Sequence, residues 1–458
     1  MISINPTTEE VIKTFNPHTD QEVDEILKKS YEAYLDWRGS TITERKVFNI
    51  KLKELLKKRR DELASLMTTE MGKPISQSYA EIDKCCWALE YYAEKADTFL
   101  SPQLVETESQ KSYVRFDPLG IILAIMPWNF PFWQVFRFSA PSVVAGNSAL
   151  LKHASNVSMC SLAIEELYAQ SGFPKNLFRS IIINGEKAVN LLRNPLIKAA
   201  TLTGSEFAGI SVATEAGKNL KKVVLELGGS DPFIVLKDAD IEKAAFWAAK
   251  ARTINNGQSC IAAKRFIVVE DIYEKFKESF VEEMKKLKVG DPMDAATDLG
   301  PIARKDLLDE IEVQVKQSVS EGAKILLGGK RIDSKGYFYP PTILENVTPQ
   351  MTCFKEEIFA PVAPLINAKD DKDAVELANN SRFGLGASIW TMDLQKAEEI
   401  AVDIEVGTVF INGIVKSDPR LPFGGVKASG FGRELSYFGI REFVNIKSVT
   451  VEELQGKI

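Results

Sequence analysis

From residue 120 to residue 227 the chain repeats one pattern: a short apolar run, then a stretch with helical spacing. The runs are GIILAIM (120–126), SALLKH (148–153), FRSIIIN (178–184), AATLTG (199–204) and KVVLEL (222–227). SLAIEELYAQSG (161–172) and EKAVNLLRN (186–194) lie between them and have helical spacing. A strand with one wet face alternates apolar and polar residues, and these runs do not. Strands covered on both faces, with helices between them, make a parallel sheet, so the fold class is α/β. A second series starts at PFIVLKD (232–238). It continues through a helix at 240–253, the strand KRFIVVE (264–270), a charged helix at 271–288, and the strands APLINA (363–368), GASIW (386–390) and GTVFIN (407–412). The turn formers of GGSDP (228–232) separate the two series. Two such units suit a chain of 458 residues, which exceeds one ordinary core.

The flanking segments read differently. Residues 24–98 carry amphipathic helices: in ERKVFNIKLKELLKKRRDELASLM apolar residues recur three or four apart among charges. SPQLVETESQKSYVRFDP (101–118) reads as a hairpin of polar strands, marginal alone and in need of a partner surface. The one membrane-like run, 119–138, is interrupted by Pro127, Asn129, Pro131, Gln134 and Arg137, which argues against a spanning helix. A buried strand followed by an irregular turn suits it better. MISINPTTEE lacks the apolar core of a secretory signal. A net charge of −6 argues against nucleic acid or an anionic membrane as partner. Five cysteines without a CxxC pair point to a reduced, cytoplasmic protein with neither disulfides nor a zinc site. With two histidines in the chain, a His-ligated metal and a Ser-His-Asp triad are both unexpected.

Four places suggest chemistry. Cys260, in NNGQSCIAAKRF, follows a Gly-containing turn and precedes a strand, which favours access. As a nucleophile it needs a base or a lowered pKa; otherwise it is a small buried residue, as most free cysteines are. Glu226 ends an apolar strand in VVLELGGSDP. It reads either as a carboxyl buried near a topological switch, raised toward the pKa of a general base, or as a solvated strand end. TLTGSEFAG (201–209) runs a strand into Gly204, Ser205 and a helix start, which suits a pyrophosphate but lacks the full GxGxxG and also reads as a plain turn. Asn129 sits among aromatics and prolines, either as a fixed oxyanion donor or as a turn residue bonding its own backbone.

Taken together, PWNFP (127–131), LKHA (151–154), LTGS (202–205), LELGG (225–229), GQSC (257–260), EEIFAPV (356–362) and PFGGVKASGFGRE (422–434) resemble the NAD(P)-dependent aldehyde dehydrogenase superfamily from end to end. The resemblance implies a Rossmann-like cofactor domain (1–100 and 119–230, with a return at 421–443), an α/β catalytic domain (231–420), and a β ribbon for oligomerisation (101–118 and 444–458). It implies that Cys260 attacks the aldehyde carbon, that Asn129 and the Cys260 backbone N–H hold the oxyanion, and that Glu226 activates the water that hydrolyses the thioester. For the cofactor it implies Trp128, Lys152, Gly204, Ser205, Glu357 and Phe359. It also implies a homodimer or homotetramer built through the ribbon.

Three departures from the family pattern stand out. Ser155 occupies a position where many NAD-specific relatives carry a Glu; loss of that carboxylate favours NADP, with NAD as the second cofactor. Thr253 replaces an aromatic before the cysteine loop, and Ala360 replaces a Gly. The short succinate-semialdehyde dehydrogenase subgroup is most similar, and there an Arg at the position of Arg137 holds the substrate carboxylate. A second Arg of some such enzymes is Ile254 here, so Arg420 is the remaining candidate for that contact. The alternatives are a small hydroxyaldehyde such as glyceraldehyde or lactaldehyde, or a broad aldehyde range.

Overall fold

A computed structural model of the chain describes residues 1–453. The helices Asp20–Trp37, Ile42–Lys58, Arg60–Met71 and Ile75–Leu100 form the N-terminal part. The first two open on reciprocal caps, Thr19 with Glu22 and Thr41 with Glu44, each satisfying two backbone donors that the helix cannot.

The first α/β series forms a six-stranded sheet. Its order is Gly430–Phe431, Lys222–Glu226, Ile197–Thr203, Ile121–Met126, Ser148–His153, Phe178–Ser180. All neighbours are parallel except the short first strand, which pairs Gly430 with Glu226 antiparallel. From Ile121–Met126 the chain winds outward through two strands and then crosses to the other side. The crevice at such a reversal, past the carboxyl ends of the strands, is where α/β sheets bind ligands. Residues 127–129 leave one strand there and Gly204–Ser205 leave its neighbour.

The second series forms a seven-stranded sheet ordered Lys324–Leu327, Thr342–Glu345, Val362–Ala368, Ala263–Val269, Asp231–Val235, Gly386–Trp390, Thr408–Ile411. Only the first pair is antiparallel. A third sheet of three antiparallel strands joins Gln103–Val105 and Lys111–Pro118 to Val444–Val451 near the C-terminus. Residues 454–458, included in the expected ribbon, lie outside the described residues.

Two local expectations change. The irregular turn after Met126 is confined to 127–132, and Trp133–Val144 is a helix in which all twelve residues are buried. A helix enclosed on every side is apolar on every side, which is why the run looked membrane-like. The strand expected over 178–184 ends at Ser180; Ile181 still donates to the Leu151 carbonyl (2.8 Å), and Ile181–Ile183 continue as buried chain without a ladder.

Candidate active site

The turn after Met126 is fixed from outside itself. Glu81, buried on the helix Ile75–Leu100, accepts hydrogen bonds from the backbone N–H groups of Phe132 (2.8 Å) and Trp133 (2.9 Å). Its charge is balanced by buried Lys73, whose ammonium also lies 4.3 Å from the centre of the Phe130 ring. Asn129, 4% exposed, therefore cannot reorient. Its amide Nδ2 donates to the Gln258 carbonyl at 3.2 Å, and its own carbonyl accepts from Asn255 Nδ2 at 2.7 Å.

The cysteine loop is built from left-handed residues. Asn255, Asn256 and Gly257 have φ of 55°, 58° and 73° in succession. Asn and Gly are the residues that tolerate this region, which accounts for the NNG ahead of the cysteine. Two buried cations hold the loop, and a third, Arg265, holds the chain beside it. Lys264 donates to the carbonyls of Ser259 (2.8 Å), Cys260 (2.9 Å) and Ala262 (3.1 Å). Arg252 ties the carbonyls of Gly257 (2.6 Å) and Ala263 (2.7 Å). Arg265 fastens the Ser230 carbonyl at 3.0 Å.

Cys260 is partly exposed and lies where two cavities meet; among the described residues it is the one common to both linings. Burial pushes its thiol up to about 12, against the opposing charges of Arg137 and Lys264, so it rests protonated. The larger cavity, about 550 Å³, is walled by Phe130, Trp133, Phe246 and Trp247, with Thr253 and Ile254 at its side. The smaller, about 250 Å³, is lined by Trp128, Asn129, Gly204, Ser205, Glu357 and Phe359.

The smaller cavity suits a dinucleotide. The helix Glu206–Lys218 starts on its wall, capped by Ser205, whose hydroxyl accepts from Ala208 N–H at 3.3 Å. A helix start presents free N–H groups and a positive dipole end to an anion. Glu357 is held in place by Gly229 N–H (3.1 Å) and Lys264 (3.3 Å). A side chain at Gly228 would meet this carboxylate and push it out of place, so a glycine here leaves Glu357 its position. Trp128 meets Phe359 edge to face at 5.7 Å. Lys152 and Ser155 line neither cavity; they stand at the end of Ser148–His153 and in the turn after it, where Ser155 is exposed and burial lowers the pKa of Lys152.

Glu226 is 2% exposed, and neither carboxylate oxygen has a hydrogen-bond partner. Burial pushes its pKa up, with Arg137 opposing and Glu434 reinforcing the rise. It packs against Gly424 and lines neither cavity. A buried carboxyl with a raised pKa gives up its proton nearer neutrality, and its carboxylate form is the proton acceptor that a general base requires.

The two arginines expected at the substrate carboxylate do not meet that expectation equally. Arg137 reaches the wall of the larger cavity, but its guanidinium is ion-paired with buried Glu434, donates to Thr203 Oγ1 at 3.1 Å, and lies 4.8 Å from the Phe423 ring centre. Arg420 is exposed and outside the cavity. It forks onto Asp418 (2.9 and 2.7 Å) and stacks over Trp87. A short local loop pair satisfies it, so it does not stand in for the missing second arginine. The described residues hold no group of three or more acidic, His or Cys side chains arranged for a metal, and no helix is long and apolar enough to cross a membrane.

Comparison with known proteins agrees with this arrangement. The model of the Aldehyde dehydrogenase family matches residues 1–449. A probable succinate-semialdehyde dehydrogenase, NADP(+), of Synechocystis is 48% identical over 98% of this chain and 99% of its own length. The succinate-semialdehyde dehydrogenase, NADP(+), of Mycobacterium avium is also 48% identical, over 98% and 96%. Among solved structures, succinic semialdehyde dehydrogenase from Streptococcus pyogenes in complex with NADP+ superposes with a TM-score of 0.97, at 38% identity, over 99% of this chain and all of that one. Seven motifs in order, a cysteine at the junction of two cavities and these full-length matches lead to one conclusion: the chain belongs to the aldehyde dehydrogenase family.

Proposed function

We propose that the chain oxidises succinate semialdehyde to succinate with NADP. The observation that carries the reaction is the position of Cys260, which opens on an apolar cavity wide enough for a small aldehyde and on a second cavity with dinucleotide-binding features. The relatives' names support the substrate and the cofactor.

In this reading the Cys260 thiol gives up its proton to water in the cavity, and the thiolate so formed adds to the aldehyde carbon. The Asn129 amide and the Cys260 backbone N–H carry the oxyanion; a preset donor of this kind contributes roughly 3–4 kcal/mol. A bound NADP would supply the hydride acceptor for that carbon. Cys260 then holds the acyl group as a thioester, a good leaving group. Glu226 removes the proton from the water that hydrolyses it. Trp128, Gly204, Ser205, Glu357 and Phe359 would hold the dinucleotide, with Lys152 and Ser155 at the adenosine ribose. Hydrolysis by Glu226 is what separates this reading from a CoA-acylating relative.

The six-stranded sheet with residues 1–100, 119–230 and 421–443 serves as the cofactor domain and 231–420 as the catalytic domain. The ribbon 101–118 with Val444–Val451 exposes Leu104, Val105 and Ile446, which suits a homodimer or a tetramer of dimers. All five cysteines are free, in keeping with a cytoplasmic protein.

Rates of NADPH formation with succinate semialdehyde, glyceraldehyde and propanal test the substrate. Succinate semialdehyde should lead in kcat/KM by about tenfold or more, about 1.4 kcal/mol. Parity would favour the second reading, a small or broad-range aldehyde enzyme, for which the aromatic cavity wall and the pairing of Arg137 with Glu434 speak. Cofactor choice has its own test. Ser155→Glu places a carboxylate where a 2′-phosphate would bind, so the NADP/NAD ratio of kcat/KM should fall on the order of tenfold or more. An unchanged ratio would remove Ser155 from the cofactor reading.

A further inference from the structure

We propose that Lys84, with Ser417 beside it, is the anion-binding group of the aldehyde cavity and takes the carboxylate end of the substrate. This rests on the succinate-semialdehyde reading above and assigns the contact that neither Arg137 nor Arg420 is free to make.

Lys84 lies on the helix Ile75–Leu100 and lines the same cavity as Cys260. Its ammonium donates to Ser417 Oγ at 2.7 Å and sits 4.4 Å from the centre of the Trp133 ring. Both contacts orient it and neither neutralises it, since a hydroxyl and an aromatic face carry no net charge. Among the described residues no carboxylate lies within ion-pair distance of it. The other cations on that wall differ: Arg137 is paired with Glu434, Lys250 lies 3.7 Å from Asp298, and Lys416 is exposed to water at the rim. A partly buried ammonium with donors to spare and no anion of its own favours an anionic ligand. Ser417, buried and hydrogen-bonded to it, adds a hydroxyl on the same spot.

Burial brings the pKa of Lys84 down to about 8. Arg137, on the helix Trp133–Val144, pushes the same way, while Cys85 and Glu81 on its own helix and Asp418 on the facing loop oppose the shift. A cation lost as pH rises through that region makes carboxylate binding weaken there, and a bound carboxylate moves the loss to higher pH.

The test compares the wild type with Lys84→Met and Lys84→Arg. For each protein, KM and kcat are measured with succinate semialdehyde and with propanal, and the inhibition of propanal oxidation by succinate is measured alongside. Lys84→Met is expected to raise KM for succinate semialdehyde about 10- to 100-fold, the range of a lost charge-assisted hydrogen bond, and at least about tenfold more than for propanal. Succinate inhibition should weaken by a like factor, and Lys84→Arg should recover part of both. Equal losses for the two aldehydes with unchanged succinate inhibition would overturn the assignment and leave Lys84 a packing residue. If the wild type shows no advantage for succinate semialdehyde, yet succinate inhibits it and not Lys84→Met, the anion site stands and the substrate reading falls. If succinate inhibits neither protein, there is no anion site at Lys84.

Discussion

Cys260→Ala is expected to lower kcat by about 10⁴- to 10⁶-fold, the usual cost of deleting a covalent nucleophile. The reason is positional. Among the described residues Cys260 alone lines both cavities, and its carbonyl is tied by Lys264 while the loop before it is set by three left-handed residues. None of the other cysteines can substitute. Cys85, Cys86, Cys160 and Cys353 are buried and line neither cavity. Because Cys260 is partly exposed and makes no side-chain hydrogen bond among the described residues, the variant should melt within a few degrees of the wild type and still bind NADP. Steady-state NADPH formation, a thermal melt and a cofactor titration on the same preparation check this. Residual activity above about one per cent would mean that the nucleophile has been misassigned.

Much of the site shows in the sequence because its parts are contiguous. Asn129, Cys260 and Glu226 each follow or end an element whose period is readable, and glycines or prolines mark the turns that present them. The inner strands of the six-stranded sheet are equally plain: Ser148–His153 and Ile121–Met126 are almost wholly buried, so nothing breaks the apolar run. Lys324–Leu327 is the opposite case. It is an edge strand, exposed or half-buried throughout, and its four residues carry no alternation to read. The helix Lys305–Ser320 does carry a stripe, Leu308, Ile311 and Val315, but its neighbours give no strand signal to frame it. The electrostatics are invisible for a different reason. Lys84 meets Ser417 across 333 residues, and Thr201 meets Glu434 across 233. No local pattern announces such pairs. Arg137 illustrates the consequence: the family resemblance offers it a substrate, whereas the folded chain gives it Glu434.

That difference can be measured. Arg137→Met should destabilise the protein by about 3–5 kcal/mol, the usual cost of removing one partner from a buried ion pair. Arg137 and Glu434 are 2% and 4% exposed, and Glu226, 2% exposed, feels the same guanidinium. Removing the cation leaves two buried carboxyls beside each other with only Thr201 Oγ1, at 3.3 Å, donating to Glu434. Burial already holds the folded pKa of Glu434 above its ordinary value with Arg137 present, and its loss raises it further. A group raised in the folded state favours folding below its unfolded pKa and disfavours it as pH climbs through the folded value. The deficit of Arg137→Met against wild type should therefore shrink as pH is lowered toward the carboxyl range and widen toward neutrality. Urea denaturation at several pH values reads this out directly. Arg137→Met combined with Glu434→Gln should recover part of the loss, because the second change removes the stranded charge. A substrate clamp behaves otherwise. It would leave urea stability and its pH dependence unchanged and would raise KM for succinate semialdehyde alone. That pattern would return Arg137 to the carboxylate and take Glu434 out of the account.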